Sequence, residues 1–306
     1  MSELELQRRF FAEELEAICR LRSTALVDAF ASVPRERFLP PGPWTVLADA
    51  DFSMMVAAVP GKGPAAAAGG GMRTRLTPDA DPRRIYHNIG VAIDPARQLF
   101  NGQPGTLAIW LDALDLAKGG RVLHVGCGLG YYTAVIAECV GPTGRVVAFD
   151  VDEALASSAR ANLSAFPWVE ARFGDASQPI DGSFDAILIN AGVTHPLDWW
   201  LDALAPGGRM ILPLTATMPA LGSNLGKGLM MMVTKHDGDE LAARVFTVVA
   251  VYSAVGLRDE SLNERVGKAL MGGPTQWQTV KHLRRDAHEP SASCWLHGPT
   301  CCWSTA

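Results

Sequence analysis

Helical stripes and short apolar runs succeed one another along this chain. Leu4, Phe11, Leu15 and Ile18 recur at helical spacing, which predicts one or two amphipathic helices over residues 2–30. They stop at Val33-Pro34, because proline disfavours helix in the residue before it. A second stripe, Leu107, Trp110, Leu111 and Leu114, has Pro104 in its first turn and Lys118-Gly119-Gly120 at its close. Val122, Leu123 and Val125 then make the apolar run of a buried parallel strand. The run opens into Gly126-Cys127-Gly128-Leu129-Gly130 and a helix from Tyr131, with Val135, Ile136 and Cys139 or Val140 on one side.

From there strand and helix alternate. VVAFD (146–150), VEARF (169–173), SFDAILINAG (183–192) and RMILPL (209–214) read as strands. ALASSARANL (154–163) and WWLDALAPGG (199–208), the latter closed by glycine, read as helices. Repeated βα units of this length predict an α/β fold, a doubly wound, mostly parallel Rossmann-like sheet with helices on both faces. Residues 228–256 read as an antiparallel hairpin turning at Asp237-Gly238-Asp239, and 262–270 as a helix.

These elements divide the chain into an N-terminal helical segment (1–42), an insertion (43–84), the sheet domain (85–256) and a C-terminal extension (257–306). Within the insertion, VPGKGPAAAAGGGM (59–72) is low-complexity Gly/Ala/Pro and predicts a flexible excursion. Order is expected to return at RRIYHNIGVAID (83–94).

Composition narrows the partners. A formal net charge of −5 and a pI near 5.8 give no basic field for nucleic acid. There is no apolar run of ~18 residues and no basic start followed by an apolar stretch. These features predict a cytoplasmic protein with no membrane partner; the oligomeric state stays open. Six cysteines in such a chain are expected as reduced thiols. The tail SCWLHGPTCCW places Cys294, His297, Cys301 and Cys302 close together, but C-x2-H-x3-C-C matches no standard zinc pattern. Packing of a Trp-rich tail is expected there, and no metal.

Strand, glycine turn and helix N-terminus together form a nucleotide cradle: glycines let a ligand approach the main chain, and the first-turn N–H groups face it. The spacing is G-x-G-x-G, with Tyr131 where a dinucleotide fingerprint has its third glycine. Asp150 ends the next strand, 20 residues beyond Gly130, where a carboxylate can accept from both hydroxyls of a ribose. Phe173-Gly174-Asp175-Ala176 follows the third strand. This order resembles the class I S-adenosylmethionine (SAM) methyltransferases. The resemblance implies SAM as cofactor, held by Gly126, Cys127, Gly128, Gly130, Tyr131, Asp150, Val151, Gly174, Asp175, Ala176 and Asn190. Asp175 would contact the adenine amino group. Tyr131 and Tyr132 either cover the methionine end of SAM or pack. His124, inside the strand, is expected to be structural.

A more specific resemblance lies on either side. A helix leading into AFASVPRERFLPP (29–41), a V-P-R-x-x-F-x-P string, resembles the start of the protein-L-isoaspartate O-methyltransferase family. So do Gln103-Pro104 before the stripe helix and the D-G hairpin with its V-x-F strand. The resemblance covers roughly 29–42 and 83–256. It implies carboxyl O-methylation of a peptide, with a Ser or Thr hydroxyl beside the acceptor carboxyl. Here that position is Gly102, in the turn Asn101-Gly102-Gln103. A carboxylate, with a pKa near 4, needs no general base at neutral pH. The expected acceptor-side residues are Asn101, Gln103 and His195, with His87 nearby. Two other readings stand beside this one: a peptide-tailoring or small-molecule methyltransferase, and a SAM-binding module without catalysis.

Overall fold

The computed structural model describes residues 2–48, 74–217 and 225–306, so the low-complexity stretch 59–72 lies outside the described residues. The chain forms two compact units. One comprises Met1–Gly119, Cys127–Arg145 and Ala154–Ala171; the other comprises Gly120–Gly126, Val146–Glu153 and Arg172–Ala306.

The first unit begins with two helices, Glu3–Cys19 (α1) and Thr24–Ser32 (α2). Ser2 and Glu5 form a reciprocal capping box on α1, and the left-handed Arg20 (φ 52°) ends it. Ser23 starts α2 by accepting from the Leu26 N–H at 3.2 Å. Phe11, Ala12 and Leu15 are buried, whereas Ile18, expected on the same stripe, is exposed. Arg35–Phe38 make a single 3-10 turn. The two ends of the 43–84 insertion are strands rather than loop. Thr45–Ala48 (β1) pairs antiparallel with Arg75–Leu76 (β2) and with Ile89–Asp94 (β3), and Leu99–Phe100 (β4) completes a four-stranded sheet. Pro104–Leu114 (α3) buries Leu107, Trp110, Leu111 and Leu114 as its stripe requires. It ends at the left-handed Asp115 (φ 58°), short of the glycines 119–120 expected to close it.

The second unit carries nearly all of a ten-stranded sheet. Arg121–Val125 (β5) pairs parallel with Phe184–Ile189 (β8), which pairs parallel with Leu204–Thr217 (β9). Leu225–Lys235 (β10) and Leu241–Tyr252 (β11) follow antiparallel as the expected hairpin, turning at a left-handed Gly238. On the other side of β5 come Arg145–Asp150 (β6) and Val169–Phe173 (β7). The helix before β9 is only Asp198–Asp202. The residues APGG, expected to close it, are already in β9, whose register against β8 shifts there around a left-handed Gly207 (φ 77°). Glu260–Met271 forms the expected helix. Beyond it, where sequence predicted only a packed tail, three short strands extend the sheet: His282–Arg284 (β12), Cys294–His297 (β13) and Cys302–Ser304 (β14). Trp303 is fully buried in the core that also holds Trp200, Met210 and Leu212.

Candidate functional site

In the second unit, the carboxyl ends of the parallel strands bring the expected cofactor residues to one edge. Gly126 takes φ 82°, and its N–H donates to the Phe149 carbonyl at 2.8 Å. A Cβ there would stand 3.2 Å from the Asn190 carbonyl oxygen, so the turn tolerates only glycine against the end of β8. Asn190 returns the contact by donating its backbone N–H to Val125 O at 2.8 Å. Asp150, 8% exposed, closes β6; its carboxylate accepts from the Asp152 N–H at 3.0 Å, which fixes its orientation. Val151 beside it is exposed. The Gly174 N–H donates to the Asp150 carbonyl at 2.9 Å, which sets Asp175 beyond the neighbouring strand end. Ser177, through its hydroxyl and its N–H, holds the Asp175 carboxyl below the usual carboxylate range. Ala176 is buried and left-handed (φ 57°), and its carbonyl accepts from the Trp199 indole at 3.1 Å.

In the first unit the glycine turn continues. Gly128 and Gly130 are both left-handed (φ 56° and 93°), and the Gly130 N–H donates to the Cys127 carbonyl at 3.0 Å. A Cβ on Gly130 would meet Leu163 at 3.0 Å, so the third glycine lets helix Glu153–Asn162 (α5) and the loop after it pack against the turn. Asn162 ties them further by donating its amide to Leu129 O at 3.0 Å. Cys127 is buried as a small filler. Tyr131 opens helix Tyr131–Val140 (α4) but is 2% exposed, with ring centroids 5.9 Å from Phe38, 6.4 Å from Phe30 and 5.0 Å from Tyr132. It stands in an aromatic core, not on an open face of the cradle.

The turn Asn101-Gly102-Gln103 is equally built. Tyr132 donates its hydroxyl to the Gly102 carbonyl at 3.2 Å. Asn101 accepts at Oδ1 from the Val91 N–H (3.0 Å) and from Arg35 (3.4 Å). That leaves the Asn101 Nδ2 and the Gln103 Nε2 both buried without a hydrogen-bond partner. Two amide donors on one turn, each held out of water, are groups that want an acceptor. Gly102 leaves no void: its φ is 76°, and a Cβ would lie 2.9 Å from Leu107 Cδ2. Gly102→Ser should therefore destabilise the fold by ~1–2 kcal/mol, the usual cost of a left-handed non-glycine residue. A thermal melt of the variant against wild type checks this.

The histidines separate. His124 is buried in β5, and burial pushes its pKa down to about 4, so it is a neutral structural residue. His195 is half-buried with Nδ1 3.1 Å from the Thr194 hydroxyl, which itself accepts from the Asp259 N–H at 2.9 Å. Burial lowers its pKa against the opposing pull of Asp259, so it is neutral at pH 7. His87 is exposed.

Two arginines carry roles that no local pattern announced. Arg35, fully buried, donates to the carbonyls of Ile85 (2.5 Å), His87 (3.2 Å) and Ile89 (2.7 Å), and its guanidinium lies 5.8 Å from the Tyr131 ring centroid. Arg258 donates to Gly192 O (2.9 Å), Thr215 Oγ1 (3.0 Å), Thr215 O (3.0 Å) and Asn263 Oδ1 (2.7 Å), tying the segment after β8 to β9. The V-P-R string marked Arg35 as a word without a meaning; nothing marked Arg258.

A glycine turn after the first parallel strand, with carboxylates at the ends of the next two, defines the class I methyltransferase fold. The chain matches a solved protein-L-isoaspartate O-methyltransferase with a TM-score of 0.56 at 22% identity, over 90% of this chain and 72% of that one. It matches a Plasmodium falciparum protein assigned to the same enzyme class, solved with S-adenosyl-L-homocysteine, with a TM-score of 0.56 at 15% identity, over 81% of this chain and 98% of that one. The sequence profile of the protein-L-isoaspartate(D-aspartate) O-methyltransferase family matches residues 72–250. The chain belongs to that family. Among curated relatives, it is 38% identical to a Methanopyrus kandleri protein-L-isoaspartate O-methyltransferase over 36% of this chain and 51% of that protein. It is 39% identical to an Aeropyrum pernix one over 36% of this chain and 45% of that protein. The chain thus spans about half the length of the curated relatives it matches. No helix among the described residues is long and apolar enough to cross a membrane.

Proposed function

We propose that the protein transfers the methyl group of SAM to a peptide carboxylate, in the manner its family implies. The carrying observation is the pair of buried, unpartnered amide donors of Asn101 and Gln103, on the turn where the family places a hydroxyl beside the acceptor carboxyl. The residues present fit the cofactor. Asp150, fixed by the Asp152 N–H, would accept from the ribose hydroxyls; Asp175, held ionised by Ser177, would accept from the adenine amino group. SAM supplies a methyl already activated on a sulfonium. The protein's own task is then to place one carboxylate oxygen in line and exclude water. Asn101 and Gln103 donate to the acceptor carboxylate and orient it, replacing one hydroxyl by two N–H2 groups. His195, neutral at pH 7, is assigned no proton to move, since the acceptor is already ionised. The six free thiols fit a reducing compartment such as the cytoplasm.

The test is methylation of an isoaspartyl peptide and of its aspartyl counterpart, side by side. The isoaspartyl peptide should gain a base-labile methyl ester. Gln103→Leu should lower kcat/KM by about tenfold, one hydrogen bond of ~1.4 kcal/mol in the transition state, with SAM affinity unchanged. Gly102 favours a second reading, a differently shaped acceptor. SAM binding without methylation of either peptide would select it.

A further inference from the structure

The C-terminal extension contains a second constellation, remote in sequence from motif I and outside the family match. His288, Cys294, His297 and Cys302 each offer one ligand atom, and these four atoms lie within 4.8 Å of one another. We infer that they form a tetrahedral Cys2His2 zinc site that staples the loop before β13 to the β13–β14 hairpin. Linear spacing hides it. In a regular strand, Cys294 and His297 would point to opposite faces, three residues apart. A bulge between Cys294 and Leu296 inserts one residue, so that Cys294 pairs with Ser304, Leu296 with Trp303, and His297 with Cys302. Ser304 and Cys302 share a face, and the bulge therefore places Cys294, His297 and Cys302 together. The fourth ligand is not Cys301, as the C-C pair suggests. Cys301 is buried in the apolar core, with its thiol pushed up to about 12 by that burial. The vacancy is filled by His288, six residues before Cys294, through a loop that no zinc pattern describes.

The surroundings suit a metal ion. Cys294 Sγ lies 3.5 Å from His288 Nε2, within the ~3.3–3.8 Å that ligand atoms keep around tetrahedral zinc with bonds of about 2.0–2.3 Å. His288 Nδ1 lies 2.9 Å from the Asp286 carbonyl oxygen; an Nδ1–H donated there leaves Nε2 free to ligate, as metal-bound histidines generally are arranged. His297 has a buried Nδ1 with no hydrogen-bond partner. The Cys294 sulfur accepts from the Ser291 N–H at 3.3 Å and stands 3.5 Å from its hydroxyl, support that a thiolate needs. A dication at these sulfurs would hold both thiols as thiolates, since a coordinating thiol is deprotonated outright. Two thiolates and two imidazoles in a compact tetrahedron select zinc over hard cations. With all four positions supplied by protein, the site is structural and has no open coordination position.

The experiment is metal analysis of the full-length protein purified with reductant, followed by titration of chelator-stripped protein with Zn2+ and with Co2+. A single zinc per chain is expected, with a thiolate-to-cobalt charge-transfer band on Co2+ addition. Chelation should lower the melting temperature, and zinc should restore it. Cys294→Ser and His288→Asn, both on partly exposed residues, should lose the ion while folding; Cys301→Ser should keep it. Absence of zinc together with no cobalt band overturns the site. So does a Cys294–Cys302 disulfide in metal-free protein that zinc cannot displace under reductant, or metal binding unchanged in both the Cys294→Ser and His288→Asn variants.

Discussion

Asp150→Ala should weaken SAM binding by ~1.5–3 kcal/mol, about 10- to 150-fold, the range for charge-assisted hydrogen bonds lost in a poorly solvated place. The carboxylate is 8% exposed and already oriented by the Asp152 N–H, so it meets a ribose diol without paying to order itself. Asp150→Asn should fall between the two, because the amide keeps one acceptor and the shape but loses the charge. Isothermal calorimetry gives the affinities. The fold should survive, since the strand supplying Asp150 is buried through Val146, Val147 and Ala148 rather than through the carboxylate. Unchanged SAM affinity in a folded Asp150→Ala protein would place the ribose elsewhere and remove the basis for the cofactor assignment.

What could be read in the sequence shares one property: the requirement is local. Gly126 and Gly130 are glycine because their own backbone is left-handed and a Cβ would strike Asn190 or Leu163. Asp150 is legible because a strand's carboxyl end is where its apolar run stops. The hairpin from Leu225 to Tyr252 is legible because an Asp-Gly turn and alternating strands agree. Local pattern gives out where tertiary packing decides. Tyr131 stands at a helix N-terminus, where covering SAM and packing are both open, and Phe30 and Phe38 arrive from a hundred residues upstream to pack against its ring. APGG reads as a helix close, and becomes the start of a strand because β8 pairs with the chain on either side of it. In the tail, a single bulge reverses the face of half the residues, and no period in the sequence records it. At Gly102, where the resemblance implies a hydroxyl, Leu107 occupies the space a Cβ would need, and no sequence pattern records that contact.

Arg35→Ala should be the most damaging single change outside the SAM site, costing ~3–5 kcal/mol of a stability expected to total ~5–15 kcal/mol. Its guanidinium is fully buried and binds the carbonyls of Ile85, at the end of a 3-10 turn, His87, and Ile89, at the start of β3, bracing the link between them. Ile85 is itself fully buried, so its carbonyl has no water to turn to once the arginine is gone. Each acceptor left bare costs ~1–3 kcal/mol, and the emptied volume beneath Tyr131 adds a cavity term. Arg35→Lys should recover less than half of this. An ammonium lacks the planar fork that reaches Ile85 and Ile89 from separate nitrogens, and it cannot lie flat over the Tyr131 ring. Thermal and urea denaturation should show both losses, with a fall in melting temperature on the order of 10 °C for alanine. Arg35 also touches Asn101 Oδ1, so the lysine variant, if folded at assay temperature, should raise KM for the peptide acceptor more than it lowers kcat. A melting temperature within a degree or two of wild type for Arg35→Ala would mean that this segment finds other donors, and that the V-P-R string does not hold the acceptor-side turn in place.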